Sequence, residues 1–258
     1  MSLVVAHVLG LCTVQDLGRR GHMHEAVPPG GALVPELLAA ANRAADNPDD
    51  APAIEVLGRL VVRATAPITV ATARGARQSL AAGEELVVTS EPLRCTYLAL
   101  RGGVAASDVL DGRGTLLCAG LGAPLRTGDA LACAIAPERA VPTVFAPAEV
   151  IRIVPGPDLD AFAPDALAAL TAAPYRILPT SDRVGTRLAG AALPRLAGYH
   201  ERSRPMVRGA IEVPRDGQPI VLGPEHPTTG GYPILAVIAH ADLGRFHAIR
   251  LGGAVRFG

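Results

Sequence analysis

The chain has 258 residues, 49% hydrophobic but only 3% aromatic, and its 24 basic and 24 acidic side chains cancel. That length makes one large domain or two modest lobes, with a core packed from Val, Leu, Ile and Ala. Zero net charge, no basic block and few rings for base stacking argue against nucleic-acid binding, and no stretch approaches the ~20 apolar residues of a membrane span.

Every basic residue is an arginine; the chain has no lysine. This excludes a Schiff base, a phosphate-loop lysine and self-biotinylation on this chain. Cys12, Cys95, Cys118 and Cys133 lack metal-type spacing and read as reduced thiols of a cytosolic protein. The opening MSLVVAHVLG has neither a positive leader nor a long apolar run, and reads as a first strand, so a cytoplasmic location is expected. Gly 28 and Pro 23, spread along the chain, suit many short strands joined by turns.

In chain order, Leu3–Val8 is the first expected strand, running into GLCTVQDLGRRG. There Gln15, Asp16, Arg19 and Arg20 lie among glycines as either a buried turn network or a site wall. His22-Met23-His24 has the spacing of a strand-borne metal pair, but no third ligand follows nearby, so no metal site is expected. Pro35–Ala45 is the best helix, with proline in its first turn and strong helix formers behind it. Residues 53–73 read as β, punctuated by Gly58 and Pro67, with Glu55 a candidate buried carboxylate. Further strands are expected at Glu85–Ser90, Thr96–Leu100 and Ala130–Ile135, regular enough for a barrel or sandwich. The Pro- and Ala-rich Pro137–Glu149 marks a lobe boundary, giving an N-terminal β-rich lobe over 1–149 and a C-terminal lobe over 150–258. Val150–Val154 is a strand and Pro164–Ala172 a short helix. Arg183 and Arg187, four apart, share a face if helical, and would there clamp a carboxylate or phosphate; otherwise they are a surface pair bonded to Asp182.

Arg208–Pro233 carries the strongest local signal. Ala210–Val213 and Pro219–Leu222 read as paired strands, and Asp216-Gly217 favours a two-residue turn with positive φ at both centres. Thr228-Thr229-Gly230-Gly231-Tyr232-Pro233 follows, either a tight turn with threonine back-bonding or a cradle of bare N–H groups for an anion or carbonyl. Ile234–Ile238 is a further strand.

TVQDLGRRG, GGAL before a helix ending in Ala-Asn, IEVLG, YLALRGG, SDRVGTRLAG, GAIEVPRDGQPIVL and TTGGYPILAVIAHADL occur in this order. The set closely resembles the biotin-dependent carboxyltransferase family, whose members are also described as allophanate hydrolase subunit 2, the C-type subunit of 5-oxoprolinase and the antagonist of a sporulation kinase inhibitor. The resemblance implies a mainly β protein with cyclophilin-like β-barrel lobes and a few short helices. It also implies a homologous partner, akin to the B-type subunit of 5-oxoprolinase or to allophanate hydrolase subunit 1. The positions that match are Gln15, Asp16, Gly18, Arg19, Gly31, Asn42, Glu55, Asp182, Arg183, Gly185, Arg187, Ser203, Gln218, Thr228, Thr229, Gly230, Gly231, Tyr232 and Asp242. The chain departs from the family pattern at Val34, where aspartate is usual, at Glu212 for glutamine, at Glu225-His226-Pro227, at Asp111–Thr115 and at Ala119–Ala123.

Three functions follow from the resemblance. The first is ATP-dependent opening of 5-oxoproline or a related cyclic amide, with ATP bound here or with the partner. Asp16, Glu55 or Glu212 would then be the base. Gln15, Arg19, Arg183, Arg187, Ser203, Gln218 and the residues Thr228, Thr229, Gly230, Gly231 and Tyr232 would hold substrate or anion. The second is biotin-dependent carboxyl transfer to a urea-like substrate, with biotin on another chain. The third is non-catalytic binding of a homologous kinase-inhibitor subunit.

Overall fold

The computed structural model describes residues 3–74, 77–134, 146 and 148–258. The chain falls into two compact units, Met1–Gly21 with Pro29–Phe145, and His22–Pro28 with Ala146–Gly258. Most of the Pro137–Glu149 boundary segment lies outside the described residues, as does Ile135.

The first unit is one antiparallel sheet of seven strands: β1 (Leu3–Gln15), β2 (Ala53–Ala64), β3 (Ile68–Thr72), β4 (Arg77–Leu80), β5 (Glu85–Thr89), β6 (Thr96–Leu100) and β7 (Ala130–Leu131). Their order is β4-β3-β6-β2-β1-β7, with β5 also paired to β2. The first strand does not stop at Val8. Gly10 faces Gly58 across the β1–β2 ladder, both with positive φ. A Cβ on either would lie 2.2 or 2.3 Å from a carbonyl oxygen of the other strand. The two bare Cα positions let the long pair bend without breaking.

Strand β6 is buried on both faces. Leu98 and Leu100 join the apolar core of Leu3, Val5, Ile54, Val56, Leu60, Val62 and Val70. Tyr97 and Ala99 alternate to the other face, and helix α1 (Pro35–Ala44), which buries Leu37, Leu38 and Ala41, packs against β6, β3 and β2. Two buried asparagines close this layer. Asn42 donates to the carbonyls of Asp49 and Ala51, while Asn47 donates to Leu100 O and accepts from the Gly102 N–H.

The second unit holds β8 (Ile153–Pro155), β9 (Tyr175–Ile177), β10 (Gly185–Ala189), β11 (Arg204–Pro205), β12 (Ala210–Glu212), β13 (Ile220–Leu222), β14 (Thr229–Gly230), β15 (Ile234–Ile238) and β16 (Ala254–Val255). Helices α2 (Ala166–Ala172) and α3 (Leu243–Ala248) accompany them. The sheet runs β16-β9-β10-β13-β12-β15-β8, antiparallel throughout. It then closes on itself. Just beyond β16, Phe257 bridges Ile151 in parallel, the Ile151 and Ile153 N–H groups donate to Arg256 O and Gly258 O, and Gly258 N–H donates to Ile151 O. The result is a barrel filled by Tyr175, Ile177, Leu188, Ile211, Val213, Val221, Leu235, Phe246, Val255 and Phe257. The fold is thus mainly β, as expected.

Two local expectations are corrected. The β12–β13 turn is not a two-residue turn with two left-handed centres. Gly217 N–H donates to Pro214 O, and Gly217, but not Asp216, has positive φ. Seven residues separate the strands, which suits an ordinary turn relieved by a left-handed glycine. The Arg183–Arg187 segment is also not helical: Arg187 lies on β10 and Arg183 in the bend before it. No helix among the described residues is long and apolar enough to cross a membrane.

Candidate functional site

In the first unit, Gln15, Asp16 and Arg19 come together at the end of β1, and all three grip the segment 109–115. Gln15 Nε2 donates to Thr115 O at 3.0 Å. Asp16 Oδ2 accepts from Arg113 N–H at 2.6 Å, while Oδ1 accepts from Gly18 N–H at 2.8 Å. Arg19, almost fully buried, donates from Nε to Val109 O and from Nη2 to Gly112 O. Gly112 and Gly114 fit beneath them, since a Cβ there would come within 2.5 Å of Arg19 Cγ or 2.7 Å of Asp16 Oδ1. Of the two readings left open by sequence, this is the buried turn network. The loop's Arg113 stays half-exposed, 3.6 Å from Asp108.

Glu55 is fully buried. Its Oε2 accepts from Leu33 N–H at 2.7 Å and from the Tyr97 hydroxyl at 2.5 Å, and that hydroxyl accepts from Val34 N–H. The carboxylate therefore ties the entry of α1 to the sheet, where negative charge is favoured. Burial, reinforced by the Glu55 charge, raises the Tyr97 hydroxyl well above its usual range and pushes the Cys12 thiol up to about 12.

In the second unit, Arg187, Ile220 and Glu212 stand directly opposite one another across β10, β13 and β12. Paired residues share a face, and this row lies opposite the barrel interior that takes Ile211 and Val221. Glu212 is half-buried between Ile220 and Ile234. That burial pushes its carboxyl up to about 7, against the opposing pull of the Arg187 guanidinium. Arg187 itself is exposed.

Arg183 is not beside it. It is buried with Glu225, Nε to Oε1 at 2.6 Å, so it stands on a structural ion pair. Gln218 staples the turn to the end of β10, its Oε1 accepting from Gly190 N–H at 3.1 Å. The Thr228–Gly231 cradle is also corrected. Thr229 and Gly230 form β14, paired with Pro205 and Arg204 of β11, and Met206 N–H donates to Thr228 O. Neither Gly230 nor Gly231 has positive φ, and Gly230 packs against the Met206 side chain. Ser203 and Tyr232 are exposed on the flanks of this ribbon.

A match to the model described as carboxyltransferase domain, subdomain A and B, extends over residues 25–258. The chain belongs to the carboxyltransferase-domain family. Among members of that family, the C-type subunit of 5-oxoprolinase from Escherichia coli K12 is 31% identical over 95% of this chain and 87% of its own length. The Haemophilus influenzae protein of the same name is 29% identical over 98% of this chain and 89% of its own. The solved structure of TTHA0988 superposes with a TM-score of 0.85 at 29% identity, over 100% of this chain but 55% of its own. The urea amidolyase of K. lactis shares the fold alone, with a TM-score of 0.87 at 22% identity over 18% of its length. The chain thus spans most of the two 5-oxoprolinase subunits and about half of TTHA0988.

This carboxyltransferase domain also holds a polar cluster that its sequence did not announce. Asp158, buried, accepts from Tyr199 OH at 2.8 Å and Ile234 N–H at 2.9 Å, and Arg204 Nη1 lies 2.6 Å away. It anchors β11 and the start of β15. The partners are up to 76 positions apart in sequence, so no local motif marks them. A second anchor, Asp242, did match the family pattern. It is buried and held by the Arg152 and Arg245 guanidinia, which keep its carboxyl well below the usual range.

Proposed function

We propose that this chain is the C-type subunit of a 5-oxoprolinase-like hydrolase, opening the lactam of 5-oxoproline or a related cyclic amide with a homologous B-type partner. The observation that carries this is the 31% identity with a 5-oxoprolinase subunit over nearly the full length of both chains. The activity belongs to the complex, and we place that complex in the cytoplasm, in keeping with four cysteines whose spacing reads as that of reduced thiols.

A lactam resists water because resonance stabilises the amide; ATP supplies the activation, by phosphorylating the amide oxygen. Within this chain, α1 is a poor place for the nucleotide, because Glu55 and the Tyr97 hydroxyl already occupy the Leu33 and Val34 N–H groups at its entry. We therefore assign ATP to a site completed by the partner. Glu212 is the group best suited to take a proton from the attacking water, since a base with a pKa near 7 is half-ionised at working pH. Arg187, exposed on the same face, steadies the carboxylate form. Asp16 and Glu55 serve position rather than proton transfer, their oxygens being bound to backbone N–H groups and a tyrosine.

The test is to co-express this chain with its homologous partner and measure ADP release with 5-oxoproline. Stimulated release, abolished when either chain is left out, is expected. A stable pair that no 5-oxoproline stimulates overturns the reading. In that event, turnover with urea plus carboxybiotin would favour carboxyl transfer, with biotin on another polypeptide because this chain has no lysine; silence with both would favour the inhibitor-binding role.

A further inference from the structure

Beside the β12–β13 turn lies a cleft of about 460 Å³, lined by residues 194–200 and Arg215. Its apolar wall is Pro194, Leu196, Ala197 and the body of Tyr199, with Leu196 half-exposed to the opening. Among the described residues its lining holds two guanidinia and no carboxylate. Glu201 is the carboxylate ion-paired with both arginines of the cleft. Arg195 holds it at 2.7 Å and is largely buried, whereas Arg215 is 87% exposed and only 3.8 Å from it. Two guanidinia thus share one carboxylate, with His200 beside them. The floor is fixed: Leu196 N–H donates to Ala161 O, and the Tyr199 hydroxyl is held by Asp158.

We propose that this cleft binds a small monocarboxylate with a compact ring. The ligand carboxylate pairs with Arg215, Arg195 retains Glu201, and the ring lies against Leu196 and Tyr199. Arg215, which Glu201 holds only loosely at 3.8 Å, stands beside an apolar wall and suits the single negative charge of a small ring acid, since a guanidinium forks two N–H groups onto a carboxylate. A cyclic amide acid has that shape. This deepens the reading above by naming where the chain itself recognises the acid, and the identification with 5-oxoproline rests on that reading.

The test is calorimetric titration of the full chain, without partner, with 5-oxoproline and with its uncharged carboxamide. Binding of the acid alone is expected. Arg215→Gln, at an exposed side chain that leaves folding intact, should weaken it roughly tenfold, the worth of one charge-assisted pair. Arg250→Gln, exposed elsewhere, should leave it unchanged. Equal binding of acid and carboxamide, no binding of either, or an unaltered affinity in Arg215→Gln overturns the site. In the reconstituted complex, Arg215→Gln should raise KM with kcat little changed. Turnover with unchanged KM would sink the cleft and spare the hydrolase, whereas acid-specific binding to a chain whose complex never turns over would sink the hydrolase and spare the cleft.

Discussion

Glu212 is a carboxyl that burial moves into the neutral range. Burial between Ile220 and Ile234 raises its carboxyl to about 7 from the ordinary 4.5. A raised acid binds its proton more tightly folded than unfolded, so between about pH 4.5 and 7 the native state holds the extra proton, and stability falls as pH rises through that window. Glu212→Gln removes the penalty. The variant should gain on the order of 1 kcal/mol over the parent at pH 8, after allowance for solvent screening, and nothing at pH 4. Denaturant melts at the two pH values check this, and equal differences at both would refute the burial argument. In the complex, turnover should climb through pH 7 and Glu212→Gln should flatten that climb. Tyr97→Phe strips partners from Val34 N–H and the Glu55 carboxylate, both buried, and should cost about 1–3 kcal/mol without moving the pH profile. Arg183→Met should cost about 3–5 kcal/mol by stranding Glu225, and most of this should return in Arg183→Met/Glu225→Leu. Failure of the double variant to recover would show that the pair does more than neutralise itself.

At the scale of elements, what was legible followed from local rules. Strand β6 and the start of α1 fall where a short apolar run bounded by turn residues and a first-turn proline put them. The first strand ran long because Gly10 reads as a terminator in isolation and becomes a bend only opposite Gly58. Arg183 and Arg187 fit helical spacing equally well, and only the ladder to Ile220 and Leu222 shows them on a strand and its approach. Tandem glycine suggested free N–H groups, but Gly230 exists to pass Met206, a contact 24 residues away in the chain. Gln15, Asp16 and Arg19 were recognisable as a polar cluster, while their partners on 109–115 were not, lying about a hundred residues on. The 109–115 loop gives a further prediction. Trypsin should cut slowly after Arg113 in the parent, although the side chain is half-exposed, because its backbone is pinned. Asp16→Ala should accelerate that cut with the rest of the digestion pattern preserved; an unchanged rate would mean the loop is ordered by other contacts.

For the whole molecule, the feature that sequence could not show is closure of the second unit. No period or turn signal says that Ile151 meets Phe257, since the two ends of the sheet become neighbours only once every intervening strand is in place. The seam is short but it caps the core. Phe257→Ala should cost about 3–5 kcal/mol, as for other buried aromatics, and lower the protection of the Ile151 and Ile153 amides against hydrogen exchange. Unaltered protection would mean that the seam is held elsewhere.

The buried side chains at the end of the first strand seize only peptide atoms of the segment they hold: the carbonyls of Val109, Gly112 and Thr115, and the Arg113 amide. A hold of that kind is blind to identity. Gly112 and Gly114, where a methyl would collide, the left-handed Leu110 and Asp111, and the buried Thr115 are constrained by the path itself, but the exposed side chain of Arg113 can be exchanged while that path stays put. The architecture separates scaffold from display, so the side chain at Arg113 can change without rebuilding what lies beneath.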